Sequence, residues 1–127
     1  MSRAGRLLLA VPVLHVDEMS GALSFYRDRL GFEVTGEYRD AEGADCAVLQ
    51  RDEAALHLST SARGARGGGV AVVFVHAVDA IALDLRERGV GIELQPADQP
   101  WGTRECHVLD PYGNQLRLTE PRTDQRP

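Results

Sequence analysis

Glu105 and His107 stand two residues apart in the alternating run Thr103–Leu109, four and six residues after the single tryptophan, Trp101. Residues two apart on a strand share a face. A carboxylate and an imidazole are therefore placed to pair there, either as an oriented general base or as a ligand-bonding element. Arg117 alternates with Leu116 and Leu118 and shares the polar face of its own strand. A cation in a cleft calls for a carboxylate or an anionic partner, and Glu105 is the nearest acid in the pattern. His57 lies between Leu56 and Leu58, and no acid completes a nucleophilic triad with it and Ser59. His15 and His76 stand at strand ends, as solvated or capping groups. Cys46 and Cys106 lack Cys-x-x-Cys spacing, which points to a reducing compartment, no zinc knuckle and packing roles.

The elements that carry these residues are legible from period and punctuation. Asp110-Pro111-Tyr112-Gly113-Asn114 is a turn, because Pro presets φ, Gly accepts positive φ, and Asp and Asn bond nearby backbone. It closes a hairpin that turns Cys106, Val108, Leu116 and Leu118 toward a core. Leu7–Leu14 is an apolar run expected as a strand covered on both faces, with Pro12 marking an edge, a bulge or a hinge. Met19, Ala22, Leu23, Tyr26 and Leu30 form a helical stripe closed by Gly31. Strands follow at Phe32–Tyr38, Cys46–Gln50 and Ala54–Ser59. After the Gly-rich linker the order begins again. A strand at Val70–Val75 precedes a helix through Val78, Ile81, Ala82 and Leu85; then come a strand at Ile92–Gln95, a loop at Pro96–Gly102 and the hairpin.

Adding 59 carries Val16 to Val75 and Arg27 to Arg86, and adding 60 carries Cys46 to Cys106 and Leu56 to Leu116. A β-α-β-β-β unit repeated once, with a one-residue slip, reads as internal duplication. Units of about sixty residues bury too little alone, so two pair their sheets around a cleft. The boundaries are residues 1–60 for the first module, 61–69 for the linker, 70–120 for the second module and 121–127 for a polar tail.

The chain has 127 residues, 43% of them hydrophobic, and a formal net charge of −5. No basic stripe exists to neutralise phosphates, which argues against nucleic acid; an acidic balance is compatible with a cationic ligand. The run Leu7–Val11 is too short for a signal sequence and meets Pro12, so a cytoplasmic protein without a membrane partner is expected.

The β-α-β-β-β repeat, Val-Pro-Val-Leu near the start, Ser-Phe-Tyr-Arg-Asp-Arg-Leu-Gly-Phe at 24–32, Pro-Trp-Gly with Arg-Glu at 100–105 and Asp-Pro-x-Gly-Asn at 110–114 resemble the vicinal-oxygen-chelate superfamily. That group includes glyoxalase I, extradiol dioxygenases and bleomycin resistance proteins, and the last branch is the most similar. The resemblance implies an α+β fold of two tandem modules, assembled as a two-fold homodimer by exchange of the N-terminal arm about Pro12. It also places a divalent metal at four positions, which are Val11, His57, Val70 and Arg117 here. Two of these have no donor atom and Arg117 has no lone pair, so neither a metal nor any other cofactor is expected. Trp101 matches a tryptophan that stacks on the drug, while Cys46 and Val72 stand where that branch carries aromatic rings. The resulting expectation is a metal-free protein, not an enzyme, that sequesters a large, partly planar natural-product antibiotic. Its ligand-binding residues would be Trp101, Cys46, His57, Val72, Glu105, His107 and Arg117. The alternatives are a metal-dependent lyase, isomerase or dioxygenase, a metal-free enzyme using Glu105 and His107, and a dimer without a small-molecule site.

Overall fold

Alternating runs and two helical stripes give eight strands in two four-stranded sheets in a computed structural model, which describes residues 4–61 and 68–123. The first sheet has the order β1 (Val13–His15), β4 (Ala54–Ser59), β3 (Asp45–Arg51) and β2 (Glu33–Arg39). The second repeats it with β5 (Val70–Phe74), β8 (Gln115–Pro121), β7 (Thr103–Leu109) and β6 (Ile92–Asp98). In each sheet the first strand runs parallel to the last and the remaining pairs are antiparallel. The expected α+β arrangement of tandem β-α-β-β-β modules is the observed one.

The helix of the first module is α1 (Met19–Leu23), which continues as a π-helical turn over Ser24–Arg29. Glu18 caps it by accepting the Gly21 N–H at 2.7 Å. The i→i+5 bond from Leu30 N–H to the Phe25 carbonyl widens the last turn. Phe25 consequently joins Tyr26 and Leu30 in the core, a residue that a regular 3.6-residue stripe leaves out. Helix α2 (Val78–Glu87) buries Val78, Ala82 and Leu85. Its N-terminus is capped from another strand, the Glu120 carboxylate accepting the Ala77 and Val78 N–H groups at 3.2 and 3.0 Å. Both helices and the facing sides of both sheets share one core, with Ala47, Leu49, Leu56 and Leu58 from the first module and Cys106, Val108, Leu116 and Leu118 from the second.

The Asp-Pro-x-Gly-Asn turn joins the modules as well as the hairpin. Asp110 Oδ1 accepts the N–H groups of Tyr112 and Asn114, and Oδ2 accepts the Tyr26 hydroxyl at 2.7 Å and the Asn114 amide at 2.8 Å. The Asn114 amide also reaches the His15 carbonyl at 2.7 Å. Burial first, and then the adjacent Asp110 carboxylate, push the Tyr26 hydroxyl far above the usual tyrosine range.

The structure corrects four readings of the sequence. Of Leu7–Leu14 only the final residues pair, and Leu7, Leu8 and Leu9 are 102%, 81% and 79% exposed instead of covered. The ladder to β4 ends where the Pro12 carbonyl accepts the His57 N–H, because proline has no N–H to return. Strand β6 runs on to Asp98, with register shifts after Ile92 and Leu94 that take Pro96 into the strand as bulges do. Strand β8 reaches Pro121, paired with Thr103, two residues beyond the alternating run that ends at Thr119. Of the linker and tail, residues 62–67 and 124–127 lie outside the described residues.

The fourth correction concerns the repeat. His57 pairs with Val48, and its counterpart Arg117 pairs with His107. Sixty residues separate the β4 and β8 positions, but fifty-nine separate those of β3 and β7. The slip is the one extra residue in the turn after Leu109. Cys46 is therefore equivalent to Glu105, and it is Ala47 that corresponds to Cys106.

Candidate functional site

Strand register arranges one face of the second sheet in rows. Val72, Arg117 and His107 form one row, and Phe74, Thr119 and Glu105 form the next. Val70, Gln115 and Leu109 form a third. This face is opposite the core-facing Cys106, Val108, Leu116 and Leu118. Its apolar members Val70, Val72 and Phe74 are exposed at the open edge of the sheet.

Glu105 is the hub of this face. Its Oε2 accepts the Trp101 indole N–H at 2.8 Å and the Thr103 hydroxyl at 2.6 Å, and its Oε1 meets His107 Nε2 at 2.8 Å. Glu105 is 5% exposed, while Trp101, which it anchors, is 67% exposed. Trp101 is thus held at its polar edge and presents its apolar face outward. Burial opposes ionisation of Glu105, but the bonds from Thr103, His107 and Trp101 outweigh it and hold the carboxyl below the usual carboxylate range. A depressed carboxyl stabilises the fold above its unfolded-state value, and that contribution is lost as pH falls through the folded value. Denaturant midpoints compared at pH 6 and pH 3.5 should fall in the native protein, with a smaller fall in Glu105→Gln. Equal falls would show that the hub carries none of the acid sensitivity.

The remaining expected site residues are placed differently. Arg117 does not pair with Glu105, whose oxygens are taken by three other donors. Its Nε donates to Gln115 Oε1 at 2.6 Å, and among the described residues no carboxylate lies within ion-pair distance of it. Cys46 and His57 belong to the first sheet, with His57 between Val13 and Val48 in register. Cys46 is 7% exposed and lies against Ser59 and Ala44, while its strand neighbour Tyr38 is the exposed ring on that face. His15 is partly buried and not simply solvated: its carbonyl accepts from Asn114 and its Nδ1 is 3.9 Å from Asp17. His76 borders a cavity of about 450 Å³ between the modules, lined by Leu30, Phe32, Val73 and Ile81 among others. None of the expected ligand-binding residues lines that cavity, whose walls combine core positions with the Arg51-Asp52-Glu53 turn and His76, and periodicity gives no sign that these come together.

A divalent metal does not fit this donor set. His57 is flanked in register by Val13 and Val48, and Arg117 by Val72 and His107. Moving the alignment two residues along β1 or β5 exchanges Val11 for Val13 or Val70 for Val72 and supplies no donor. Among the described residues no three His, Cys, Asp or Glu groups are placed to hold a metal ion, whereas such sites use about three or four protein ligands.

The family model described as the glyoxalase/bleomycin resistance protein/dioxygenase superfamily matches residues 8–118. The chain belongs to that superfamily. The fold is similar to that of a bleomycin-binding protein complexed with bleomycin, 22% identical with a TM-score of 0.74, covering 91% of this chain and 100% of the other. TnmS3, an antibiotic binding protein from Streptomyces sp. CB03234, is 24% identical with a TM-score of 0.72, covering 92% and 99%. Lactoylglutathione lyase from Agrobacterium tumefaciens is 22% identical with a TM-score of 0.69, covering 88% and 92%. No curated protein sequence matches the chain. These likenesses show the fold alone, so any choice between drug binding and lyase chemistry rests on this chain's own side chains. Among the described residues no helix is long and apolar enough to cross a membrane.

Proposed function

We propose that this superfamily member binds and sequesters a large, partly planar natural-product antibiotic without changing it and without a metal, as a homodimer in the cytoplasm. The observation that carries the reading is the exposed Trp101 ring, fixed at its indole N–H by the buried Glu105 carboxylate. An aromatic side chain this exposed yet held in one attitude is suited to stacking on a planar ligand. The exposed Val70, Val72 and Phe74 extend the same face with apolar surface. Trp101, Val72, Glu105, His107 and Arg117 would contact the ligand from this sheet. Cys46 and His57 would do so from the first sheet of a second copy, whose arm swings out at Pro12.

Trp101 fluorescence titrated with planar antibiotics, with and without EDTA, tests the reading. Saturable quenching near one ligand per chain that EDTA leaves unchanged is the expected result. Quenching or substrate loss only with Mn²⁺ or Ni²⁺ would transfer the site to the superfamily's metal-dependent chemistry. The second reading, a metal-free acid/base enzyme, is favoured by the 2.8 Å Glu105–His107 pair. It requires turnover with a bell-shaped pH profile that His107→Ala abolishes.

The exposed Leu7, Leu8 and Leu9 support assembly, since three consecutive leucines facing water are a surface awaiting a partner. Sedimentation of the full chain should give a dimer, and deletion of residues 1–11 should give a monomer. A dimer unaffected by the deletion would remove the arm from the interface.

A further inference from the structure

We propose that Arg117 occupies the superfamily's metal position as a fixed cation and that the ligand is a planar aromatic carrying an acidic group, such as a carboxylate, phenolate or sulfonate. The inference rests on the binding reading above and names the chemistry of its ligand. Three observations carry it.

Arg117 stands at the centre of the candidate face, opposite Val72 on one side and His107 on the other. Its guanidinium is exposed, and Nε donates to the neutral Gln115 amide oxygen. The two terminal nitrogens form the fork that donates bidentately to a carboxylate. Glu105 and Glu93 on the same face form no ion pair with Arg117. Glu105 is bound by Trp101, Thr103 and His107, and Glu93 accepts from the Gln115 amide, which stands between it and Arg117.

Geometry adds the third point. Arg117 and Glu105 are diagonal neighbours on adjacent strands, and such neighbours stand roughly 7–8 Å apart. Trp101 is anchored at Glu105. A fused ring system of two or three rings stacked on Trp101 thus brings a substituent at its edge or centre toward Arg117. A metal ion in this fold binds oxygen as a Lewis acid; a guanidinium in its place still attracts an oxyanion, through charge and hydrogen bonds, but cannot polarise it for chemistry by coordination.

The test uses anthracene-9-carboxylate, the neutral anthracene-9-carboxamide and the cationic 9-(aminomethyl)anthracene, titrated into the full chain at pH 7 by Trp101 quenching. The carboxylate is expected to bind at least tenfold more tightly than the carboxamide, and the amine most weakly. Arg117→Gln should close the gap between carboxylate and carboxamide. Arg117→Lys, which keeps the charge but not the fork, should keep part of the gap. Carboxylate and carboxamide binding equally well, the amine binding best, or a gap that survives Arg117→Gln would overturn the assignment and leave the sequestering reading intact. Absence of quenching by all three at millimolar concentration would instead count against the aromatic-binding face itself, and the assignment would fall with it. Arg117 is exposed, so both variants should fold; unchanged circular dichroism and denaturant midpoints are the check.

Discussion

Trp101→Ala should weaken ligand binding about 30- to 100-fold while changing stability by less than about 1 kcal/mol. An aromatic side chain buries about 150–250 Å², and covering one ring face removes roughly half of that, worth about 2–3 kcal/mol at ~25 cal/mol per Å². Each 1.4 kcal/mol is about tenfold in affinity. Trp101 is 67% exposed before any ligand arrives, so the free protein has little packing to lose. Its indole N–H donates to Glu105, which keeps Thr103 and His107 as partners. Isothermal titration with a planar ligand and urea denaturation of the same variants separate the two quantities. Trp101→Phe should recover much of the affinity, because it keeps a stacking face and loses only the N–H that fixes it. Equal affinity of native and alanine proteins would remove Trp101 from the site. A large stability loss with no binding event would make it a structural residue of a dimer without a small-molecule site.

Asp110→Ala should be strongly destabilising, by about 3–4 kcal/mol, lowering the thermal midpoint by about 10–15 °C. The buried carboxylate accepts from the Tyr26 hydroxyl, the Asn114 amide and two backbone N–H groups. Asn114 and Tyr26 are themselves fully buried. Removing the acceptor leaves several donors stranded away from water, and each stranded donor costs about 1–3 kcal/mol before relaxation. Tyr26→Phe removes one donor together with its need for an acceptor, so it should cost only about 1 kcal/mol. The double variant should be less destabilised than the sum of the two, a coupling readable from denaturant midpoints. A loss below about 1 kcal/mol for Asp110→Ala would mean that the modules are held together by apolar packing alone.

The repeat, the element order and the face on which Glu105, His107 and Arg117 stand were legible in the chain, because each follows from a period of two or 3.6 residues and from turn chemistry. Period says which face a residue occupies; it says nothing of what lies across from it. Arg117 and Glu105 share a face in the sequence pattern, yet the Glu105 oxygens are filled by Trp101, Thr103 and His107. Only the fold of the loop after β6 brings the indole there. Similarly, the Asp110 turn was readable as a turn, while its bond to Tyr26, eighty-four residues away, exists only once two modules meet. The counting that equated Cys46 with Cys106 failed because one inserted residue in a turn shifts one strand of a hairpin against the repeat and leaves its partner in step. Sequence by itself determined the duplicated fold, since it depends on residue type and spacing along the chain. Tertiary structure alone decided the hub at Glu105, the freedom of Arg117 from carboxylates and the exposure of Leu7–Leu9, because hydrogen-bond partners and burial are set by which strands and loops come to lie side by side.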